Sequence, residues 1–124
     1  MPDDLKPIAW IASSRKDIRA FPEEVQDGVG HALYEAQVGR KNRSAKPLKG
    51  FKGAGVLEVV EDHDGNTYRA VYTVRFAEII YVLHCFQKKS KSGVATPKQE
   101  LETVRSRLKA AEKEYLEWKK EQGK

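Results

Sequence analysis

The longest run of apolar side chains lies in residues 79–86, where a single polar residue, His84, interrupts it. Gln87, Lys88 and Lys89 follow at once. A continuous apolar run of this length predicts a strand buried on both faces, which is usually central in its sheet. It is too short to cross a bilayer as a helix. We therefore expect a central strand whose exit holds polar and cationic groups at a fixed place on the surface.

Residues 67–76 alternate in character and predict a neighbouring strand with two different faces. Tyr68 and Tyr72 fall on the face expected to meet the core, whereas Arg69 and Arg75 fall on the other. A third strand is predicted at residues 56–61, and the turn chemistry of residues 62–66, with an Asp-Gly pair at 64–65, favours a hairpin between them. These strands predict an antiparallel meander, and residues 8–12 predict a short strand before it.

Helical spacing of apolar residues appears in the N-terminal part of the chain. A short helix is predicted over residues 15–20, and Pro22 is a suitable first residue for a second one. The second helix has one apolar stripe and is expected to end near Gly39. Together the two elements predict a helical hairpin or a kinked helix. The stripe consists of Val25, Val29, Ala32, Leu33 and Ala36.

A C-terminal helix is predicted from its capping sequence. Thr96 is expected to cap it, with Pro97 as the first residue and Gln99 completing a capping box. Leu101, Val104 and Leu108 are expected to pack on the domain. Tyr115 and Trp118 continue the same stripe and have two open interpretations, as packing residues or as a surface free to bind a partner.

The order of predicted elements is β-α-α-β-β-β-α, which indicates an α+β fold with the helices on one face of an antiparallel sheet. With 124 residues, the chain is expected to form a single domain over residues 1–124. The N-terminus lacks a basic segment followed by an apolar run, so a secretory signal is not predicted and a cytoplasmic location is expected. The single cysteine, Cys85, excludes an internal disulfide framework and is expected in the core.

The charge balance favours an anionic partner, with nucleic acid as the first choice. The formal net charge is +5 and the isoelectric point is near 9.3. Residues 40–53 contain no acidic residue and are expected to form a loop or an irregular approach to a strand. The basic residues in this segment are Arg40, Lys41, Arg43, Lys46, Lys49 and Lys52.

Several short motifs together resemble a known family. They are K-P-L-K-G at residues 46–50, Y-R-A-V-Y-T at 68–73, L-H-C-F-Q-K-K-S at 83–90 and T-P at 96–97. Over residues 46–108 the chain resembles the phage-derived HigB-like toxins of the RelE/ParE toxin–antitoxin superfamily. The resemblance implies a RelE-like fold, in which a small antiparallel sheet carries an N-terminal helical hairpin and a C-terminal helix.

The resemblance also implies a function. Nuclease members of the superfamily cleave mRNA on the translating ribosome and are neutralised by a separate antitoxin. The expected partners are therefore the ribosome, mRNA and an antitoxin, expected to be a helix-turn-helix protein. Neither a cofactor nor a metal is expected. Other members poison DNA gyrase, so a non-catalytic gyrase inhibitor remains an alternative, as does a phage-derived RNA-binding protein without chemistry.

Cleavage of RNA by its own 2′-hydroxyl needs a base, an acid and cations that stabilise the charge developing on the phosphate. The candidate catalytic residues are Arg69, Lys88, Lys89 and His84, although a hydrogen-bonded core histidine is the usual outcome at a position such as that of His84. The expected RNA-binding residues are the basic residues of the 40–53 segment, Arg75 and Phe86. Phe86 could stack on a base or simply pack in the core. The basic groups could also be an ordinary solvated surface.

Overall fold

The computed structural model describes residues 5–88 and 96–123, so the candidate Lys89 lies outside the described residues. In these two segments the chain forms five strands and three helices. Their order is β1 (Ile8–Trp10), α1 (Ser14–Arg19), α2 (Glu23–Gln37), β2 (Ala45–Pro47), β3 (Val56–His63), β4 (Asn66–Thr73), β5 (Ile80–Lys88) and α3 (Lys98–Gln122).

The strands form one sheet in the order β1-β5-β4-β3-β2. The pairs β5–β4, β4–β3 and β3–β2 are antiparallel, as the meander prediction requires, whereas β1 runs parallel to β5. The predicted α+β, RelE-like fold class is confirmed. Strand β2 is absent from the predicted order of elements, because it is three residues long and lies in the basic segment for which a loop or an irregular approach to a strand was expected.

The β3–β4 hairpin has the two-residue turn that the sequence predicts. His63 pairs with Asn66, and the two residues between them, Asp64 and Gly65, have positive φ angles of 50° and 80°. Positive φ at both central positions is the requirement of a type I′ turn, whose twist matches that of the flanking strands. This turn sets the register of β3 against β4.

Helices cover both faces of the sheet, so the expectation that they share one face is wrong. Helices α1 and α2 pack on the face that carries Ala70 and Tyr72. Helix α3 packs on the opposite face, where its fully buried Val104 and Ala111 meet Leu83 and neighbouring residues. The physical reason is that β5 is apolar on both faces, and each apolar face must be covered.

A β-bulge in β5 changes the simple alternation of side chains. Val71 pairs with His84, whereas Tyr72 pairs with Val82, so Leu83 is the extra residue. The bulge leaves the Leu83 carbonyl oxygen to accept a hydrogen bond of 3.1 Å from Arg107 on α3. After the bulge, His84 faces α3 and Cys85 faces the other cluster, which confirms the prediction that Cys85 is a core residue.

Strand β4 ends at Thr73, earlier than the predicted end at residue 76. The Thr73 hydroxyl donates to the carbonyl oxygens of Ala54 and Gly55, which brings the chain before β3 against the end of β4. Gly55 has a φ of +64°, and a Cβ there would lie 3.1 Å from the backbone nitrogen of Arg75. Arg75 therefore lies past the end of the strand. Its backbone lies close to that of residue 55, where the positive φ angle and the lack of space favour glycine.

The outer part of α3 is packed on the domain rather than free. The ring of Tyr115 lies 4.6 Å from that of Phe76, between centroids, and its hydroxyl donates to the Glu78 carboxylate. Trp118 is partly buried, with its ring 6.0 Å from that of Tyr115. Lys119 pairs with Glu78 at 2.9 Å. Of the two interpretations of Tyr115 and Trp118, packing is therefore confirmed and a free surface is wrong, because Phe76 and Glu78 already contact this end of the helix. None of the helices in the described segments is long and apolar enough to cross a membrane.

Candidate functional site

The strand register brings polar residues from four strands to the face of the sheet that α3 partly covers. Lys46 on β2 is directly opposite Glu58 on β3. Arg69 on β4 is opposite Val60, two residues along the same face from Glu58. Lys88, the last residue of β5, is half-buried and opposite Thr67. Residues directly opposite or diagonal across paired strands are close enough for their side chains to interact.

A cleft of about 450 Å³ opens beside these residues. Its walls come from β2 and the turn after it, from the middle of β3, from β4 and from the start of α3. We call it the cleft. Its lining residues are Lys46, Pro47, Leu48, Lys49, Gly50, Glu58, Arg69, Thr96 and Leu101.

The polar wall of the cleft is a closed triangle of hydrogen bonds. Arg69 Nη1 lies 3.2 Å from Glu58 Oε1 and 3.1 Å from Thr96 Oγ1. The Thr96 hydroxyl donates to Glu58 Oε2 at 2.8 Å. The Arg69 and Glu58 side chains are 7% and 11% exposed. Because charge-assisted hydrogen bonds are about twice as strong as neutral ones, this triangle holds both charged groups in a fixed orientation.

Thr96 does not have the role that its sequence context predicts. The residue before α3 is Pro97, and no side chain caps the helix. The Thr96 hydroxyl instead bonds Arg69 and Glu58 in the cleft. The capping-box prediction is therefore wrong, because an ion pair offers this hydroxyl stronger partners than a backbone amide.

His84 is held in a separate network rather than in the cleft. Its Nε2 lies 2.6 Å from Glu100 Oε1, and its Nδ1 lies 3.1 Å from Arg107 Nη1. Arg107 continues to Ser13 Oγ at 3.2 Å, and Ser13 donates to Asp17. Because arginine can only donate, Nδ1 accepts and Nε2 donates to the carboxylate. The network links β5, α3 and α1.

This network changes the interpretation of two candidates. His84 is 8% exposed and uses both ring nitrogens for contacts within the protein, so it is a structural link rather than an available base. Phe86 is also 8% exposed, and its ring stacks on His84 at 4.8 Å between centroids. One face of the ring is therefore covered, and the core packing that the sequence left open describes Phe86, in place of the alternative of stacking on an RNA base.

The basic residues of the 40–53 segment separate into three places. Lys46 and Lys49 line the cleft with Arg69. Lys52 and Arg75 lie in a second groove, described below. Arg40, Lys41 and Arg43 are exposed on the connection from α2 to β2 and do not line either cavity; the Arg40 amide bonds Glu35 of α2.

Two polar side chains of the cleft, those of Glu58 and Thr96, were not among the site residues predicted from the sequence. Glu58 carries a detectable signal, because it is a lone acidic residue inside the apolar run V-L-E-V-V of β3. A charge within an otherwise buried strand requires a partner. Thr96 carries no such signal, since its context favours a helix cap.

The cleft combines groups that could bind and act on a phosphate ester. Lys46, Lys49 and Arg69 supply positive charge, and Glu58 supplies a carboxylate that can accept a proton. Within the described part of the chain, no group of three or more His, Cys, Asp or Glu side chains is arranged to hold a metal ion. The three cations and the carboxylate themselves offer electrostatic and acid–base chemistry.

Comparison with models of protein families assigns the chain to a family. Residues 16–109 match the model of the family described as "Phage derived protein Gp49-like (DUF891)". The chain belongs to this Gp49-like family. None of the curated proteins matches it significantly.

Solved structures show that this Gp49-like protein has the RelE fold. An arginine-substituted variant of the Escherichia coli toxin RelE in the free state superposes with a TM-score of 0.54 and 17% identity, covering 86% of this chain and 97% of that one. The isolated E. coli RelE toxin superposes with a TM-score of 0.50 and 18% identity, covering 82% and 97%. The resemblance to the RelE superfamily is thus confirmed for the fold, whereas the narrower HigB assignment stays a prediction.

Proposed function

We propose that this Gp49-like protein is the toxin of a type II toxin–antitoxin system, acting as a ribosome-dependent endoribonuclease on mRNA in the cytoplasm. The observation that carries the proposal is the cleft, where Lys46, Lys49 and Arg69 surround the carboxylate of Glu58. The RelE fold supports it by analogy, since the similar solved structures are of a toxin.

The reaction that suits these groups is attack of an RNA 2′-hydroxyl on the adjacent phosphate. Glu58 takes the hydroxyl proton as the 2′-oxygen–phosphorus bond forms. Arg69 and Lys46 stabilise the additional negative charge on the phosphate oxygens. The bond from phosphorus to the 5′-oxygen then breaks, and an ammonium group at the cleft rim, Lys49, protonates the leaving oxygen. The products are a 2′,3′-cyclic phosphate and a 5′-hydroxyl.

Glu58 is a better base in this scheme than His84. Its two oxygens each accept one hydrogen bond, which leaves lone pairs on a carboxylate that has about four acceptor sites. Both ring nitrogens of His84 are already engaged by Glu100 and Arg107. We therefore move the proton-accepting role from His84 to Glu58 and keep Arg69 as the phosphate contact. Lys88 remains a candidate contact at the exit of β5.

The proposed partner is a separate antitoxin, expected to be a helix-turn-helix protein, that blocks the cleft. Support comes from the RelE fold and from the charge of the site. Three cations around a cleft make a surface that a partner with acidic side chains can neutralise.

The test is mRNA cleavage in a translation extract. Purified protein should cut a reporter mRNA when ribosomes are present and leave it intact when they are removed. Lys49→Gln and Glu58→Gln should each lower the cleavage rate by about 100- to 1000-fold, the usual effect of losing a transition-state contact. Lys113→Gln, on the exposed surface of α3, is the control and should cleave normally.

Two results would reject the proposed reaction. One is inhibition of gyrase supercoiling by a protein that leaves mRNA intact, which would make it a non-catalytic toxin. The other is full activity of folded Lys49→Gln and Glu58→Gln variants, which would move the chemistry away from the cleft.

A further inference from the structure

A second concave surface lies next to the cleft, and we call it the basic groove. It has a volume of about 330 Å³. Its cations come from three parts of the chain: Lys52 before β3, Arg75 after β4, and Arg105 and Lys109 on α3. The described residues that line it include one acidic side chain, Glu112.

Two cations of the basic groove repel each other, and this repulsion costs free energy. Arg105 and Lys109 are four residues apart on α3, so they lie on the same side of the helix and repel each other. Both are exposed. The groove therefore gathers four positive charges against one negative charge, an excess that its single ion pair does not balance. An anionic ligand would relieve this repulsion.

Two of the four cations are held in orientation by contacts with aromatic rings. The guanidinium of Arg105 lies 4.7 Å from the centroid of the Phe51 ring, and that of Arg75 lies 5.6 Å from the Phe76 ring. Arg75 also pairs with Glu112 at 3.3 Å, where both side chains are 44% exposed. Arginine held over a ring keeps its donors available at its edge, which suits a phosphate.

The basic groove is continuous with the cleft. Gly50 lines both cavities. It has a φ of +96°, and no heavy atom lies within 4 Å of the place where a Cβ would be. The surface between the two cavities is therefore open backbone without a side chain. A chain molecule that leaves the cleft can cross Gly50 and enter the groove.

We propose that the basic groove binds the sugar–phosphate backbone of the RNA strand whose reacting phosphate lies in the cleft. The proposal rests on the proposed function, because it takes RNA as the ligand of the cleft. The groove would contact phosphates that flank the reacting one. Its recognition would be independent of sequence, since its donors are cations and its ring, Phe51, is 7% exposed beneath Arg105.

The test measures equilibrium binding of RNA that cannot be cleaved. Oligonucleotides with 2′-O-methyl riboses have no attacking hydroxyl, so binding is separated from chemistry. One oligonucleotide is short enough to fill the cleft alone, and a longer one extends past it. The variant is Arg105→Gln with Lys109→Gln. The matched control is Lys113→Gln with Lys120→Gln, which removes two exposed positive charges from the same helix outside the groove.

The proposal predicts a difference between the two lengths. The groove variant should bind the long oligonucleotide more weakly than the wild type, and its log–log salt slope should become shallower by about 1.4, from roughly 0.7 for each of two phosphate contacts. Binding of the short oligonucleotide should be unchanged. The control variant should match the wild type for both lengths. Equal losses in the groove and control variants would overturn the proposal, because net charge would then explain them.

A second variant is expected to gain affinity for RNA, a result that misfolding cannot produce. Glu112→Gln removes the acidic side chain of the groove and releases Arg75 from its ion pair. This variant should bind the long oligonucleotide more tightly than the wild type, and a damaged protein would not do so. Unchanged or weaker binding by a Glu112→Gln protein with a normal melting curve would overturn the proposal.

Ribosomal RNA could supply the same phosphates, and a third measurement distinguishes this source. If the groove variant loses affinity for ribosomes without message but binds the long oligonucleotide normally, the groove contacts ribosomal RNA, and the proposed continuity with the cleft is rejected. Failure of the proposed function would look different. If the wild-type protein binds the long oligonucleotide through the groove but never cleaves mRNA, the proposed nuclease activity is rejected and the assignment of the groove to RNA binding is kept.

Discussion

The Glu58–Arg69 pair combines function and stability in two side chains. Both are nearly buried, and each is the other's charged partner. Taking two charges out of water is costly, and removal of one partner leaves the other buried without compensation. A substitution in this pair therefore has two effects, one on the chemistry of the cleft and one on folding.

Arg69→Ala is expected to lower the free energy of unfolding by about 3–5 kcal/mol, because it removes the arginine that is ion-paired with the nearly buried Glu58 carboxylate. The double variant Glu58→Gln with Arg69→Met should recover much of the loss while remaining inactive. Urea unfolding gives the stabilities and mRNA cleavage gives the activity. A single variant as stable as the wild type would show that the pair is not buried in solution.

Cys85 is expected to be unreactive in the folded protein. The pKa of its thiol is raised to about 12, mainly by burial and to a smaller extent by Asp17, while Arg107 partly opposes the shift. Alkylation at pH 8 should be on the order of 10³-fold slower than in denaturant, because it requires unfolding. The folded thiol keeps its proton to a higher pH than the unfolded thiol does. The free energy of unfolding should therefore fall as the pH rises above 9.0, the ordinary pKa of the thiol. Rapid alkylation without denaturant would contradict the buried position.

At this scale, the sequence allowed some residues to be predicted and not others. Arg69, Lys46 and Lys49 stand out as cations within recognisable motifs, and the structure brings them to one cleft. Their catalytic and binding roles stay predictions. His84 and Phe86 have the right chemistry and the right strand, yet their contacts with Glu100 and Arg107 on α3 depend on tertiary packing. Periodicity along one strand cannot predict which helix covers it.

Among the elements, α2 contains two glycines that have different environments. A Cβ at Gly28 would lie 2.7 Å from the carboxyl carbon of Glu61, whereas a Cβ at Gly30 would meet nothing within 4 Å. Burial, with a smaller contribution from Asp62, raises the pKa of Glu61 above its usual value. The close approach of β3 thus explains why position 28 is a glycine. The contacts of the described residues give no such explanation for Gly30.

Gly30→Ala is expected to stabilise the protein by about 0.5–1 kcal/mol, since alanine is the better helix former and its methyl group has space. Gly28→Ala should gain less or lose stability, because the Glu61 carboxyl group must move away. The two variants have the same helix and the same substitution, so each is the control for the other. Equal midpoints in thermal or urea unfolding would contradict the contact between Gly28 and Glu61.

The C-terminal end of α3 is expected to loosen in acid. Hydrogen bonds from Tyr115 and Lys119 lower the pKa of Glu78 below its usual value of 4.5. A lowered carboxyl pKa means that the contact stabilises the fold fully above the ordinary pKa and is lost as pH falls through the lowered one. Trp118 fluorescence, or hydrogen exchange of the last helical turns, should therefore change below about pH 4.5. Glu78→Gln should lack this transition and should loosen the helix end at neutral pH.

The arrangement of helices shows what local patterns leave undetermined. The stripe on α3 correctly predicted that Leu101, Val104 and Leu108 pack on the domain. It did not predict which face of the sheet α3 covers, because a helix that packs on either face has the same apolar stripe. The information was present in β5, whose unbroken apolar run requires cover on both faces. The parallel pairing of β1 with β5 likewise depends on the whole sheet.

At the scale of the molecule, the net charge of +5 is spread unevenly. Cations line the cleft and the basic groove, which both lie on the α3 side of the sheet. Another set, Arg40, Lys41 and Arg43, is exposed where the chain leaves α2, which packs on the opposite side. Long-range attraction of an RNA would depend on all of them, whereas direct phosphate contact would depend on those near the cleft.

Two triple variants separate these contributions, because each removes three charges from the same sequence segment. Arg40→Gln with Lys41→Gln and Arg43→Gln should leave the log–log salt slope of RNA binding close to that of the wild type. Lys46→Gln with Lys49→Gln and Lys52→Gln should make it shallower by about 2, from roughly 0.7 for each of three lost contacts. All three residues of the second set are exposed, so folding should be preserved, and a melting curve checks this. If both variants change the slope equally, the RNA contacts the whole basic segment, and the division of charge between the two sides of the sheet has no functional meaning.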